Sequence, residues 1–166
     1  MSIKLKKNII LVSTCLFALL LDQLTKQVVL SSLDHKSIYK ITNFLNFVKI
    51  WNNGISFGIF SEHNFSPIIF ICLSLIIIIL ILYLMSNINL ILQGFIIGGA
   101  IGNLIDRIIF GKVFDFIDFH INHWHYPAFN IADSLIVISI IIIIFYEIKA
   151  YFFNKNNFCN SKNIKK

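Results

Sequence analysis

The chain has 166 residues, of which 57% are hydrophobic and 13% charged, with a formal net charge of +6. A soluble domain is nearer ~45–50% apolar and ~25% charged, so a soluble globular protein, a disordered chain and a disulfide-built scaffold are excluded, leaving a small integral membrane protein. Most lysines lie at the two ends, which suits anionic lipid headgroups and not nucleic acid, and Cys15, Cys72 and Cys159 are too far apart to suggest a disulfide framework or a metal site.

A hydrocarbon core ~30 Å thick needs ~20 apolar residues per helix, and four stretches meet this. The first runs from about residue 8 to 30 and closes on Asp22-Gln-Leu-Thr-Lys26. Its start resembles a secretory signal, but only four apolar residues precede Thr14-Cys15 and the apolar run continues beyond them, so a retained span is expected. A loop over about 31–65 follows. Within it, Phe44 to Trp51 alternates, Asn52-Asn53-Gly54 marks a turn, and Ile55 to Phe60 suggests a second short strand. Its aromatic residues suit a membrane interface.

The second span, about 66–85, carries no charge, and only Ser86-Asn87-Ile88-Asn89 marks its junction with the third, about 88–107, so the two form a tight hairpin. In the third, Gly98-Gly99-Ala100-Ile101-Gly102 lets a neighbouring helix approach closely. The fourth spans about 131–153 and includes five consecutive isoleucines, Ile140 to Ile144. Isoleucine runs favour strands, but an open sheet cannot cross lipid and a barrel strand alternates with polar residues, so these runs read as helices. The expected fold is therefore an all-α membrane protein of four transmembrane helices with a small β-rich outward-facing cradle. Residues 1–153 form one membrane domain and 154–166 a basic tail. Four spans put both termini on one side. Lys4, Lys6 and Lys7 at one end and Lys149, Lys155, Lys162, Lys165 and Lys166 at the other place that side in the cytoplasm.

Ionisable groups at a span cost roughly 2.5–3.5 kcal/mol each when unpaired, so the few present are informative. Asp22 and Lys26 share one helix face, as do Asn103, Asp106 and Arg107. Asp115 sits in an extended apolar stretch, and Asp133 falls in the first turn of the fourth helix. All gather toward the outward end. Each also has a plain structural reading. Asp133 complements a helix N-terminus, Asp106 and Arg107 form a charge pair, and Asp22 with Lys26 is a supporting helix pair. Asn52 and Gly54 are turn residues. Asp118, three residues from Asp115, points to the opposite strand face and reads as a solvated or interfacial charge. His120, His123 and His125 match no zinc spacing and read as a wet interfacial loop. Ser56 and Ser134 lack a partner base at a convincing spacing.

Two carboxylates within hydrogen-bond reach in a poorly solvated site cannot both ionise, and the pair titrates as a unit. One then takes a proton from water while the other donates to a peptide carbonyl. Spacing alone leaves open which carboxylates pair. Five motifs occur in order: Asp22-Gln-Leu-Thr-Lys26, Asn52-Asn-Gly54-Ile-Ser-Phe57-Gly58, Gly99-Ala-Ile-Gly102-Asn103-Leu-Ile-Asp106-Arg107, Val113-Phe-Asp115-Phe116 and Phe129-Asn130-Ile-Ala132-Asp133-Ser134. Over about residues 9–150 the chain resembles bacterial lipoprotein signal peptidase, a four-span inner-membrane aspartyl endopeptidase family. The resemblance implies cleavage of prolipoproteins before a diacylglyceryl-modified cysteine, inhibition by globomycin, and a catalytic pair formed by Asp115 and Asp133. It implies polar supports or substrate contacts at Asp22, Lys26, Asn52, Gly54, Asn103, Asp106, Arg107 and Asn130. It implies no metal and no cofactor, prolipoprotein and membrane lipids as partners, no nucleic acid, and a monomer. Ile55-Ser56, where the family usually has small residues, and Phe114, where a second Val is common, depart from the pattern. The competing class is an ion-coupled transporter using the same acids as relays, disfavoured by four spans, no visible repeat and acids at one rim. A non-catalytic scaffold is the third.

Overall fold

A computed structural model describes residues 2–33, 38–54, 67–84 and 89–163. Its elements in chain order are α1 (Ile3–Ser32), β1 (Ile38–Lys40), β2 (Leu45–Asn52), α2 (Pro67–Leu84), α3 (Leu90–Phe110), β3 (Val113–Ile121), β4 (Trp124–His125) and α4 (Ile131–Asn163). The four helices cover the four expected apolar stretches. α1, α3 and α4 are long and apolar enough to cross a membrane, and α2 carries a shorter apolar run, Ile68–Ile81. The suggested strand at Ile55 to Phe60 lies outside the described residues.

α3 is the axis of the bundle, with 61% of its apolar window buried against 11% for α1 and 17% for α4. Its small residues explain why. A Cβ on Gly99 would lie 2.8 Å from the Ala132 carbonyl oxygen of α4, and one on Gly102 would lie 2.5 Å from Asp22 Oδ2 of α1. Lipid offers apolar side chains as good a surroundings as protein does, so helices associate through such close backbone approach. The outward faces remain apolar, as at Phe17 and Leu24 on α1 and Ile141 and Phe145 on α4.

The four strands form one antiparallel sheet in the order β1-β2-β3-β4. It sits where α1 and α3 end and α4 begins. Phe114 and Phe116 of β3 pack with Val29 and Leu33 at the end of α1, and Phe47, Trp51 and Ile131 close over them. β2 therefore pairs with β1 and β3, and its register against β3 shifts between Phe47 and Ile50. There Val48 and Lys49 together oppose Phe116, a β-bulge. Asn46 and Asn52 are an even number apart and would share a face of an unbroken strand. The extra residue turns them to opposite faces, where Asn46 meets Asp118 and Asn52 meets Asp115.

Candidate active site

β3 and the first turn of α4 supply the two central acids. Asn130 precedes α4, and its side-chain Oδ1 accepts from the Asp133 N–H at 3.0 Å, while the Asn130 N–H donates to Asp133 Oδ2 at 3.2 Å. This is a reciprocal capping box, with Asp at the place where Glu or Gln is usual. The helix-end reading of Asp133 is thus correct as local structure, and it fixes where the carboxylate points. Asp133 Oδ1 accepts from Asn103 Nδ2 at 2.8 Å. The Asn130 amide nitrogen Nδ2 reaches across to Asp115 Oδ1 at 2.8 Å, and Asn52 Nδ2 donates to Asp115 Oδ2 at 2.9 Å. One residue, Asn130, therefore holds both acids. It is itself placed by the backbone pairing of Phe129 with Ile117.

Asp115 is 2% exposed. Burial pushes its carboxyl up to about 7, the Asn52 hydrogen bond pulls against this, and the Asp133 charge pushes it further up. Both acids line one cavity of about 670 Å³ together with Asn52, Arg107, Phe129 and Val137. Gly54 lies at its edge with φ +106, where its N–H donates to Asn52 Oδ1 at 2.8 Å and a Cβ would meet the Phe70 ring at 2.5 Å. A side chain is excluded there on both counts. Arg107 donates to the Asn103 carbonyl at 3.3 Å and stands 6.0 Å over the Phe70 ring.

A second, deeper layer lies beneath the acids. Lys26 Nζ is 2.7 Å from Asp22 Oδ2, 2.8 Å from Asp106 Oδ2 and 3.0 Å from Asn103 Oδ1, and all four residues are buried. Asp22 Oδ1 accepts from the Ala132 N–H at 2.9 Å, and Asp106 Oδ2 from the Phe114 N–H at 3.3 Å. Each of these carboxylates grips the backbone one residue before a central acid. Gln23 adds bonds to Asp22, Asp106 and the Gly102 carbonyl.

All ten expected site residues fall in these two layers or at the edge of the cavity. Two readings need correction. Asp106 pairs with Lys26 and not with Arg107, because neighbouring helix residues point about 100° apart. Asp118 is 6% exposed and bonded to Asn46 Nδ2, so it is not a solvated charge. Gln23 and Phe70 went unread. Gln23 carried a signal, a polar residue inside an apolar span; Phe70 carried none. Ser134 lines the cavity, but its hydroxyl donates to the Asn130 carbonyl. His125 faces Asp118, and no group of three or more His, Cys, Asp or Glu suited to a metal occurs among the described residues.

The family model described as Signal peptidase (SPase) II matches residues 14–149. A lipoprotein signal peptidase of Thermodesulfovibrio yellowstonii is 39% identical over 149 residues, covering 90% of this chain and 99% of that protein. One of Rickettsia conorii is 45% identical over 132 residues, covering 75% of this chain and 66% of that protein. Among solved structures, a bacterial membrane enzyme determined by the in meso method at 1.9 Å aligns with a TM-score of 0.72 and 29% identity, over 84% of this chain and 92% of that one. A second, at 2.3 Å, gives 0.71 and 31%, over 84% and 87%.

Proposed function

The chain belongs to the signal peptidase II family, and from that premise we propose that it is an aspartyl endopeptidase that cuts diacylglyceryl-modified prolipoproteins before the lipidated cysteine. The observation that carries this reading is the pair Asp115 and Asp133, joined through Asn130 on the wall of one cavity. Asp115, raised to about 7 by burial, is the member that holds a proton up to neutral pH. Asp133 acts as the base. It takes a proton from water as the water oxygen attacks the scissile carbonyl carbon, and Asp115 donates its proton to the carbonyl oxygen. In the breakdown of the resulting diol, Asp133 returns its proton to the leaving cysteine nitrogen, the C–N bond breaks, and Asp115 regains a proton from a diol hydroxyl. No covalent intermediate forms.

The cavity walls fit a lipid-bearing substrate. Val137 and Ile138 of α4 line the cavity and are more than half exposed, so an apolar surface runs continuously from the acids to the lipid-facing side of the helix. A substrate anchored in the bilayer reaches the acids laterally. Arg107 supplies donors on the cavity wall for substrate carbonyls. The chain works as a monomer in the cytoplasmic membrane, with both termini on the cytoplasmic side.

The test is incubation of purified protein in lipid with one prolipoprotein in two forms, with and without the diacylglyceryl group. Mass spectrometry should find a single cut before the cysteine in the modified form, blocked by globomycin. Equal cutting of both forms, or cutting elsewhere, would refute the assignment.

A further inference from the structure

Asp118 and His125 take no part in the chemistry above, yet they form a bonded polar cluster outside it. Asp118 is 6% exposed on the strand face opposite Asp115. A buried carboxylate needs donors, and it has one from each neighbouring strand. Asn46 Nδ2 of β2 donates at 2.9 Å, and His125 Nδ1 of β4 lies 2.8 and 3.0 Å from its two oxygens. The His120 ring stacks on His125 at 5.1 Å and 23°.

The next residues along the chain are the ones that matter to substrate. Phe119 follows Asp118, Tyr126 follows His125, and both line the cavity. They meet through the Tyr126 N–H, which donates to the Phe119 carbonyl at 2.8 Å, and through Phe129, stacked on Phe119 at 5.8 Å and edge-on to Tyr126 at 5.9 Å. β4 has only two residues, paired His125 with His120 and Trp124 with Ile121. A ribbon that short does not hold its place alone. The Phe129 backbone, by contrast, has its own bonds to Phe116 and Ile117, so Asn130 and the two acids are held independently of β4.

We propose that Asp118 and His125 are positioning residues: a side-chain clamp that holds β4 against β3 and so sets the Phe119–Tyr126 wall against which substrate is seated. This rests on the peptidase reading for what the wall receives, but the clamp itself is a statement about β4. His125→Ala should raise KM for the modified prolipoprotein about five- to tenfold, just below the range for a hydrogen bond to a charged group because His125 is half exposed, with kcat within about twofold. His125→Asn, whose Nδ2 occupies nearly the place of Nδ1, should return KM to within about twofold of wild type. Hydrogen exchange adds a readout free of activity. The Tyr126 amide should exchange faster in His125→Ala and at the wild-type rate in His125→Asn.

An unchanged KM in His125→Ala, a loss confined to kcat, or an Asn variant as impaired as the Ala variant would each overturn the clamp. If wild-type protein cuts no prolipoprotein, the peptidase reading falls, and amide exchange alone decides the clamp: unchanged Tyr126 protection in His125→Ala refutes it.

Discussion

Lys26→Met removes the Lys26 cation from the layer beneath the acids while keeping most of the side chain's volume. Lys26 is 4% exposed and holds Asp22, Asp106 and Asn103 within 3.0 Å. Without it, two buried carboxylates face each other with, among the described residues, Gln23 and two backbone N–H groups as donors. Removing one partner of a buried ion pair costs about 3–5 kcal/mol. For a chain of this size that lowers the melting temperature by roughly 6–20 °C, measured by thermal unfolding in detergent or nanodiscs. The same change loosens the grip of Asp22 on Ala132 and of Asp106 on Phe114, the residues before Asp133 and Asp115. A displacement of the acids by about 1 Å costs on the order of 100-fold in rate. Cleavage should therefore fall by about 10- to 100-fold in protein that is still folded. The double variant Asp22→Asn/Lys26→Met should recover part of the lost stability, because one of the two stranded charges is gone. A Lys26→Met protein that melts within about 2 °C of wild type and cuts near the wild-type rate would refute the reasoning.

Four further outcomes follow from the geometry. Asp115 carries its proton up to about 7 against a usual carboxylate value of 3.8, so cleavage should fall as pH rises past about 7 in a pH–rate profile. By linkage, the raised value stabilises the fold fully below pH 3.8 and progressively less as pH rises to about 7. Melting curves of wild type should therefore decline relative to Asp115→Asn across that window. Gly102→Ala puts a methyl 2.5 Å from Asp22 Oδ2 and should cost about 1–3 kcal/mol in thermal unfolding as α1 and α3 are forced apart. EDTA should leave cleavage unchanged, and strong inhibition would return the histidines of β3 and β4 to consideration as ligands.

Much of this was legible in the chain because it was local. Helix length, the small residues of α3 at Gly98, Gly99 and Gly102, and the shared face of Asp22 and Lys26 follow from spacing along a single helix. So does Asp133 in a first turn. What stayed hidden depended on pairings between distant segments. Asp118 is buried because Asn46, 72 residues away, meets it across β2 and β3, and the bulge that turns Asn46 and Asn52 to opposite faces has no signature in either strand alone. The partner of Asp106 is Lys26 on another helix, while the nearer cation in sequence, Arg107, faces the cavity. Asp115 and Asp133 are linked across two elements by Asn130, whose side chain bonds one and whose backbone N–H bonds the other, a relation that motif order suggested through family resemblance and that spacing alone left open.

The central claim is that Asp115 and Asp133 perform the cleavage as a pair. The most direct measurement is the cleavage rate of a diacylglyceryl-modified prolipoprotein by Asp115→Asn and by Asp133→Asn, each shown to be inserted and to melt cooperatively. The paired mechanism predicts loss of cleavage in both variants, by at least about 1,000-fold, as for other catalytic groups that act as a unit. Cleavage near the wild-type rate in either folded variant would contradict it.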